Sequence, residues 1–257
     1  MANPPSNIGK RKVVKHNALI EATYKLTLNE QRILLCLLSK LNSKTKRLPP
    51  AGITITPYEV REAFNLDESD NYVYEVMKSG ANGLWNKEIT RIYDRKGVEV
   101  RDRLRWLSRD IQPSRNEVSG AMTFYFNDHL ATYIIDLAGR FTQYELAQVG
   151  NLSSAHSIRI YELLIQYKNS RHGVPPILLD DFKARLGIEG KYSKWGDLKK
   201  RVIDPAKKEL EQYSDIEFTY SAQRGRANKV LGIQFDVNYE KGQLPLPGPQ
   251  KIPPGFE

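Results

Sequence analysis

The sequence predicts an α+β chain made of two tandem copies of one unit, and three observations predict it. The stretch "RILLCLLSKLNSKTKRLPP" (Arg32 to Pro50) can be laid against "RIYELLIQYKNSRHGVPP" (Arg159 to Pro176). Arg-Ile and Asn-Ser recur 127 positions later, and the proline pair 126 later. Each stretch leads into a short amphipathic segment, a polar turn and a second helix. Each copy then closes on alternating, β-favouring residues, "EITRIYD" (Glu88 to Asp94) and "DIEFTYSA" (Asp215 to Ala222), again 127 apart. Two helices joined by a short turn and followed by a β-hairpin describe a winged helix, a variant of the helix-turn-helix. The expectation is two tandem winged-helix domains related by an internal pseudo-repeat. The alternative is chance similarity between two α+β units.

Taken in order, residues 1–12 are expected to form a mobile or extended tail and residues 13–145 the first winged-helix domain. The apolar run "ILLCLL" (Ile33 to Leu38) reads as core, Cys36 included. In "TPYEVREAFNL" (Thr56 to Leu66), Tyr58, Val60, Ala63 and Phe64 recur at helical intervals. The helix "YVYEVMKSGANGLW" follows, and the hairpin turns at "DRKG" (Asp94 to Gly97). Between the copies, from Arg105 to Ser154, "MTFYF" reads as a strand while "DHLATYIIDL" and "TQYELAQV" read as helices. That stretch is too apolar for a floppy linker, so the two domains are expected to pack together.

Residues 146–238 form the second domain. Leu179, Phe182 and Leu186 repeat the helical spacing in "LLDDFKARLGI", and "KWGDLKKRVIDPAKKEL" is the second helix. The hairpin turns through "QRGRANK" (Gln223 to Lys229) and returns as "VLGIQFDV". Residues 239–257 are proline-rich and expected to be mobile.

The 257 residues carry a net charge of +9, which favours a polyanion or an acidic membrane as partner. The N-terminus "MANPPSNIGKRKVVKHN" lacks the apolar stretch of a signal peptide, and "ILLCLL" is too short to span a bilayer. One cysteine excludes an intrachain disulfide and fits a reducing cytoplasm. A cytoplasmic protein with no membrane partner is expected.

The charge is concentrated. From Lys191 to Lys208, Lys191, Lys194, Lys199, Lys200, Arg201, Lys207 and Lys208 stand against Asp197 and Asp204, a net +5. At about 100° per residue, Trp195, Leu198, Val202, Ile203, Ala206 and Leu210 share one side, while Lys200, Arg201, Lys207 and Lys208 share the other. Pro205 removes one helical hydrogen bond and is expected to kink or restart the helix with Asp204 as cap. The residues before it form the expected reading segment, because lysine and arginine can reach guanine O6 and N7 in a major groove. Asp197 could accept from a cytosine amine or brace a neighbour; equally, it is a first-turn acid favoured by the helix dipole.

The equivalent helix of the first copy carries only Lys78 and Lys87 against Glu75, whereas its hairpin holds Arg91, Arg95, Lys96, Arg101, Arg103 and Arg105. A division of roles is expected, in which the second domain reads bases and the first mainly grips phosphates. The expected phosphate contacts are Lys191, Lys199, Lys207, Arg224, Arg226, Lys78, Arg95 and Lys96. For any single hairpin arginine, the plain alternative is a solvated side chain.

With these residues in view, the chain resembles the iteron-binding plasmid replication initiators, a family of two-winged-helix proteins. The likeness runs from about Val14 to Val237. It is carried by "NALIEATYKLTLNEQRILL", "LAGRFTQYELAQVGNLSSAHSIRIYELL" and "YSKWGDLKKRVIDPAKKEL", in that order. The resemblance implies binding of direct repeats at an origin as a monomer, opening of an adjacent AT-rich segment, and recruitment of host replication proteins. It also implies a homodimer in equilibrium with the monomer, with the first domain as possible interface, that binds an inverted repeat and represses its own gene. The family's base-reading positions match Lys194, Asp197, Lys200 and Arg201. Members carry arginines where this chain has Lys194, Lys199 and Lys200, and lysine lacks arginine's bidentate fork.

An enzyme is not expected, and neither a cofactor nor a metal. His16, His129, His156 and His172 lack the paired spacing of a nicking enzyme's metal site, and no GxxxxGK[ST] phosphate loop occurs. The other reading kept open is a winged-helix transcriptional repressor with no initiator role.

Overall fold

The computed structural model describes residues 7–66, 69–112, 120–135, 137 and 139–240. Residues 1–6 and 241–257, where mobile tails were expected, lie outside these. Residues 7–12 do not belong to a mobile tail. Ile8 is buried, Leu146 and Ala147 donate backbone N–H groups to the Arg11 and Gly9 carbonyls, and Arg11 pairs with Glu59 at 2.9 Å. A buried isoleucine and the two backbone bonds that follow it hold this stretch in place.

The chain opens with β1 (Lys12–His16), α1 (Asn17–Glu21) and α2 (Leu28–Ser39). Thr27 and Glu30 exchange side-chain and backbone hydrogen bonds in a capping box that starts α2. The helix is buried nearly all round, Cys36 included. A short strand β2 (Ile53–Ile55) precedes α3 (Pro57–Phe64), which repeats the device with Thr56 and Glu59 and ends at Asn65 in a left-handed conformation. The second helix of the pair is α4 (Asp70–Trp85), burying Val73, Val76, Met77, Ala81 and Leu84.

Strands β3 (Glu88–Arg95), β4 (Val98–Arg105), β5 (Leu107–Ile111) and β6 (Met122–Phe126) follow, then a short helix α5 (Ala131–Ile134) after the turn at Asp128–Leu130. Strand β7 (Phe141–Glu145) and α6 (Ala147–Gly150) lead into the second copy. The expectation of a helix over "TQYELAQV" is therefore corrected. Thr142 and Tyr144 are buried while Phe141 and Gln143 are exposed, a period of two rather than 3.6, and the strand pairs antiparallel with β1. The β1 partner, far upstream, is invisible to local periodicity.

The second copy contains α7 (Ala155–Ile165), β8 (Ile177–Leu178), α8 (Leu179–Arg185), α9 (Trp195–Leu198), a π-helical turn (Lys199–Ile203), α10 (Asp204–Tyr213), β9 (Glu217–Arg224) and β10 (Val230–Asn238). Its sheet order is β8-β10-β9, with the returning hairpin strand in the centre. The first copy has the same arrangement in β2-β6-β5, with β6 central.

This topology corrects one equivalence drawn from the 127-residue spacing. The sheet counterpart of β9 is β5, and β3–β4 forms a separate two-stranded hairpin. Arg101, Arg103 and Arg105 are exposed along β4, while at the hairpin's root Ile89 is buried and its partner Leu104 packs against the core. Its turn does fall at the expected place: Lys96 and Gly97 both have positive φ (56° and 81°), as a two-residue I′-type turn requires. One buried apolar cluster runs through both copies, as expected of packed domains.

Candidate nucleic-acid interface

The helix from Trp195 to Tyr213 is built as the periodicity predicts, with one exception. Leu198, Val202, Ile203, Ala206 and Leu210 are buried, and Trp195 is half-buried with its ring edge-on to Tyr220 at 6.3 Å. The exception is the turn before Pro205. Proline has no N–H and its ring would collide with the carbonyl four residues back, that of Arg201. The chain accommodates this by widening the turn at Lys199–Ile203 into a π-helix, a feature that recurs at functional sites. Asp204 is itself helical (φ −64°, ψ −42°) and does not N-cap the helix that follows. Its carboxylate accepts the Tyr220 hydroxyl at 2.5 Å, which fastens β9 to the helix and raises the phenol pKa through burial and the bond to Asp204.

Lys194 stands at the extended position before the helix, and Lys199, Lys200 and Arg201 fill three consecutive places of the widened turn. All four are exposed, and among the described residues their cationic ends have no hydrogen-bond or ion-pair partner. Lys191 and Lys208 are exposed as well, while Lys207 and Asp197 are half-buried. The preceding turn is held by Lys183, which donates to the Tyr192 carbonyl at 3.0 Å. In the β9–β10 turn, Arg224 braces the loop through the Asn228 carbonyl at 2.9 Å, and Arg226 is exposed. Lys191, Lys194, Asp197, Lys199, Lys200, Arg201 and Lys207 thus lie on this helix and the turn before it, and Arg224 and Arg226 lie at the far end of the hairpin that Tyr220 fastens to it.

The remaining expected residues lie in the other copy. Lys78 is half-buried on α4, whose exposed positions are mostly uncharged (Asn71, Tyr72, Ser79, Asn82). Arg95 and Lys96 are exposed at the tip of the separate β3–β4 hairpin.

Sequence reasoning missed a second group of charged residues, at the junction of the copies. Glu162 on α7 is fully buried and accepts from Lys15 Nζ and from the Tyr144 hydroxyl, both at 2.5 Å. Arg159, one turn earlier, pairs with it at 3.2 Å and lies over the Tyr24 ring at 3.9 Å. Burial opposes charge on Glu162, but Lys15 and Arg159 outweigh it and hold the carboxyl below its ordinary range. The available signal was the placing of charges inside apolar runs, "KVVKH" and "RIYELLI".

Two family models match the chain in order: Initiator Replication protein, WH1, over residues 12–165, and Initiator Rep protein, WH2, over residues 178–237. A curated "Replication initiation protein" of Escherichia coli is 26% identical over 257 residues, covering 94% of this chain and 77% of the relative. An "Uncharacterized 27.6 kDa protein" of Escherichia coli is 28% identical over 223 residues, covering 82% of this chain and 90% of the relative. Among solved structures, the fold is similar to that of the Pi initiator protein, whose crystal structure is in complex with iteron DNA. The TM-score is 0.70 at 20% identity, covering 88% of this chain and 96% of that one.

Proposed function

The chain belongs to the initiator replication protein family, and from that premise we propose that it is a plasmid replication initiator that binds double-stranded DNA repeats through both of its winged helices. The observation that carries the reading is the basic row Lys199-Lys200-Arg201, exposed and without a partner among the described residues, on the widened turn of the second copy's reading helix. Lys194, Asp197, Lys200 and Arg201 read bases; Lys191, Lys199, Lys207, Arg224, Arg226, Lys78, Arg95 and Lys96 hold phosphates. The fold likeness to an initiator crystallised with iteron DNA supports the DNA-binding reading. In the same reading the protein acts in the cytoplasm without chemistry of its own. It opens an adjacent AT-rich segment, recruits host replication proteins, and represses its own gene as a dimer on an inverted repeat.

Selection of bound duplexes from a random pool, followed by footprinting, tests it. Two winged helices in successive major grooves give a footprint of roughly 20 bp; half that size sinks the two-domain mode. Lys200→Ala is expected to cost about 1–3 kcal/mol of binding and relax discrimination at one base position. Arg95→Ala should instead weaken binding to all sequences and flatten the salt dependence. Equal loss on every sequence for both changes overturns the assignment of roles.

A further inference from the structure

A short path of packed groups connects the second helices of the two winged-helix units, and it runs through the buried charges at the junction. At the first copy's end, α4 stops at Trp85, and the root of β3 pairs by backbone hydrogen bonds in both directions between Thr90 and Thr23 (3.0 and 3.3 Å). Tyr24, the next residue, stacks edge-on against buried Trp106 at 5.2 Å and contacts the Arg159 guanidinium through both its ring and its hydroxyl. Arg159 Nη2 then donates to the Ile20 carbonyl of the first copy at 2.7 Å and to the Arg185 carbonyl of the second at 2.8 Å. Arg185 is the last residue of α8, and the turn after it leads directly to Lys194 and the reading helix.

Two features make this joint stiff. Its polar members, Lys15, Tyr24, Tyr144, Arg159 and Glu162, are at most 5% exposed, so any sliding would strand a charge or a donor away from water. Beside them the backbones touch: a Cβ on Gly187 would meet the Tyr24 carbonyl at 2.9 Å and Lys25 Cβ at 2.8 Å, and the residue has φ +65°. An apolar interface can slip by small steps, whereas a planar guanidinium held on several sides has one seating.

We propose that this joint fixes the offset between the two DNA-binding winged helices, so that Arg159 and Tyr24 are positioning residues that set the DNA spacing the protein accepts. The inference rests on both copies engaging DNA, as proposed above. Inserting or deleting one base pair between the half-sites moves one of them by about 3.4 Å and about 34°. A stiff joint cannot follow that displacement, and a loosened one can.

The test uses the full chain and the duplex recovered by selection, remade with one base pair added or removed at the centre of the footprint. The wild-type protein is expected to lose about 30-fold or more in affinity on both altered duplexes. Arg159→Lys keeps the charge but loses the fork, and Tyr24→Phe removes a single hydroxyl. Each is expected to lose less than about 10-fold on the original duplex and to shrink the spacing penalty to under about 5-fold. A merely structural role would lower stability and leave that ratio unchanged. If Arg159→Lys fails to fold, Tyr24→Phe carries the test. Variants that keep the wild-type ratio, or a wild type indifferent to spacing, overturn the inference while the DNA-binding reading stands. A wild-type footprint confined to one groove removes both.

Discussion

Glu162 is the residue on which most depends at the smallest scale. Among the described residues it is the one anion paired with Lys15 and Arg159 in the buried junction, and Glu162→Ala leaves both cations without it. A loss of about 3–5 kcal/mol is expected, measured by urea unfolding. Glu59 tests electrostatics nearer the surface. Burial pushes its carboxyl up, but hydrogen bonds from Lys40 and Arg11 outweigh that and hold the pKa below the ordinary 4.5. The stabilisation is therefore fully present above about pH 4.5 and drains away as pH falls through the lower folded pKa. Glu59→Gln should cost about 1 kcal/mol at pH 7, with the gap to wild type closing in strong acid in thermal unfolding. The sequence shows Arg32 and Arg159 as matching members of a repeat but does not show what they do. Both are buried, Arg32 over the Phe64 ring and Arg159 in the junction. Their partners cannot be read locally, since Tyr24 lies 135 positions from Arg159 and Lys15 lies 147 from Glu162.

Among the elements, those whose faces are set by local period are legible: α3, α4, α8, and the buried and basic sides of the Trp195–Tyr213 helix. What escapes is anything decided by a distant strand or by hydrogen-bond register. Strand β7 needs β1 to exist, and the role of β9 in the first copy passes to β5, which pairs with β6 while β3 and β4 pair with each other. The π turn is likewise a matter of register. Pro205 announces a disturbance, but periodicity alone does not say whether the helix breaks, bends or widens. Pro205→Ala restores the missing N–H and lets the turn close in α register, rotating residues 199–201 against the anchored Ala206 and Leu210. Stability is expected to change by less than about 1 kcal/mol while affinity for the selected duplex falls about 10-fold. Titration with the duplex, alongside amide exchange across 199–206, checks both halves.

For the whole molecule, the shared core and the buried junction predict that the two winged helices unfold together. Urea curves followed by tryptophan fluorescence, which sees Trp106 in one copy and Trp195 in the other, should coincide with those from far-ultraviolet circular dichroism. Separate transitions would mean that the copies are independent bodies. The single cysteine has a practical consequence at the same scale. Cys36 is buried in α2, and burial pushes its thiol up to about 12. At neutral pH it is protonated and shielded, so thiol-directed labels should pass it by. The natural chain is thus a silent background for site-specific dyes. Cysteines introduced at exposed Lys96 and Lys208 would report the distance between the two copies, with and without DNA, without first altering the core.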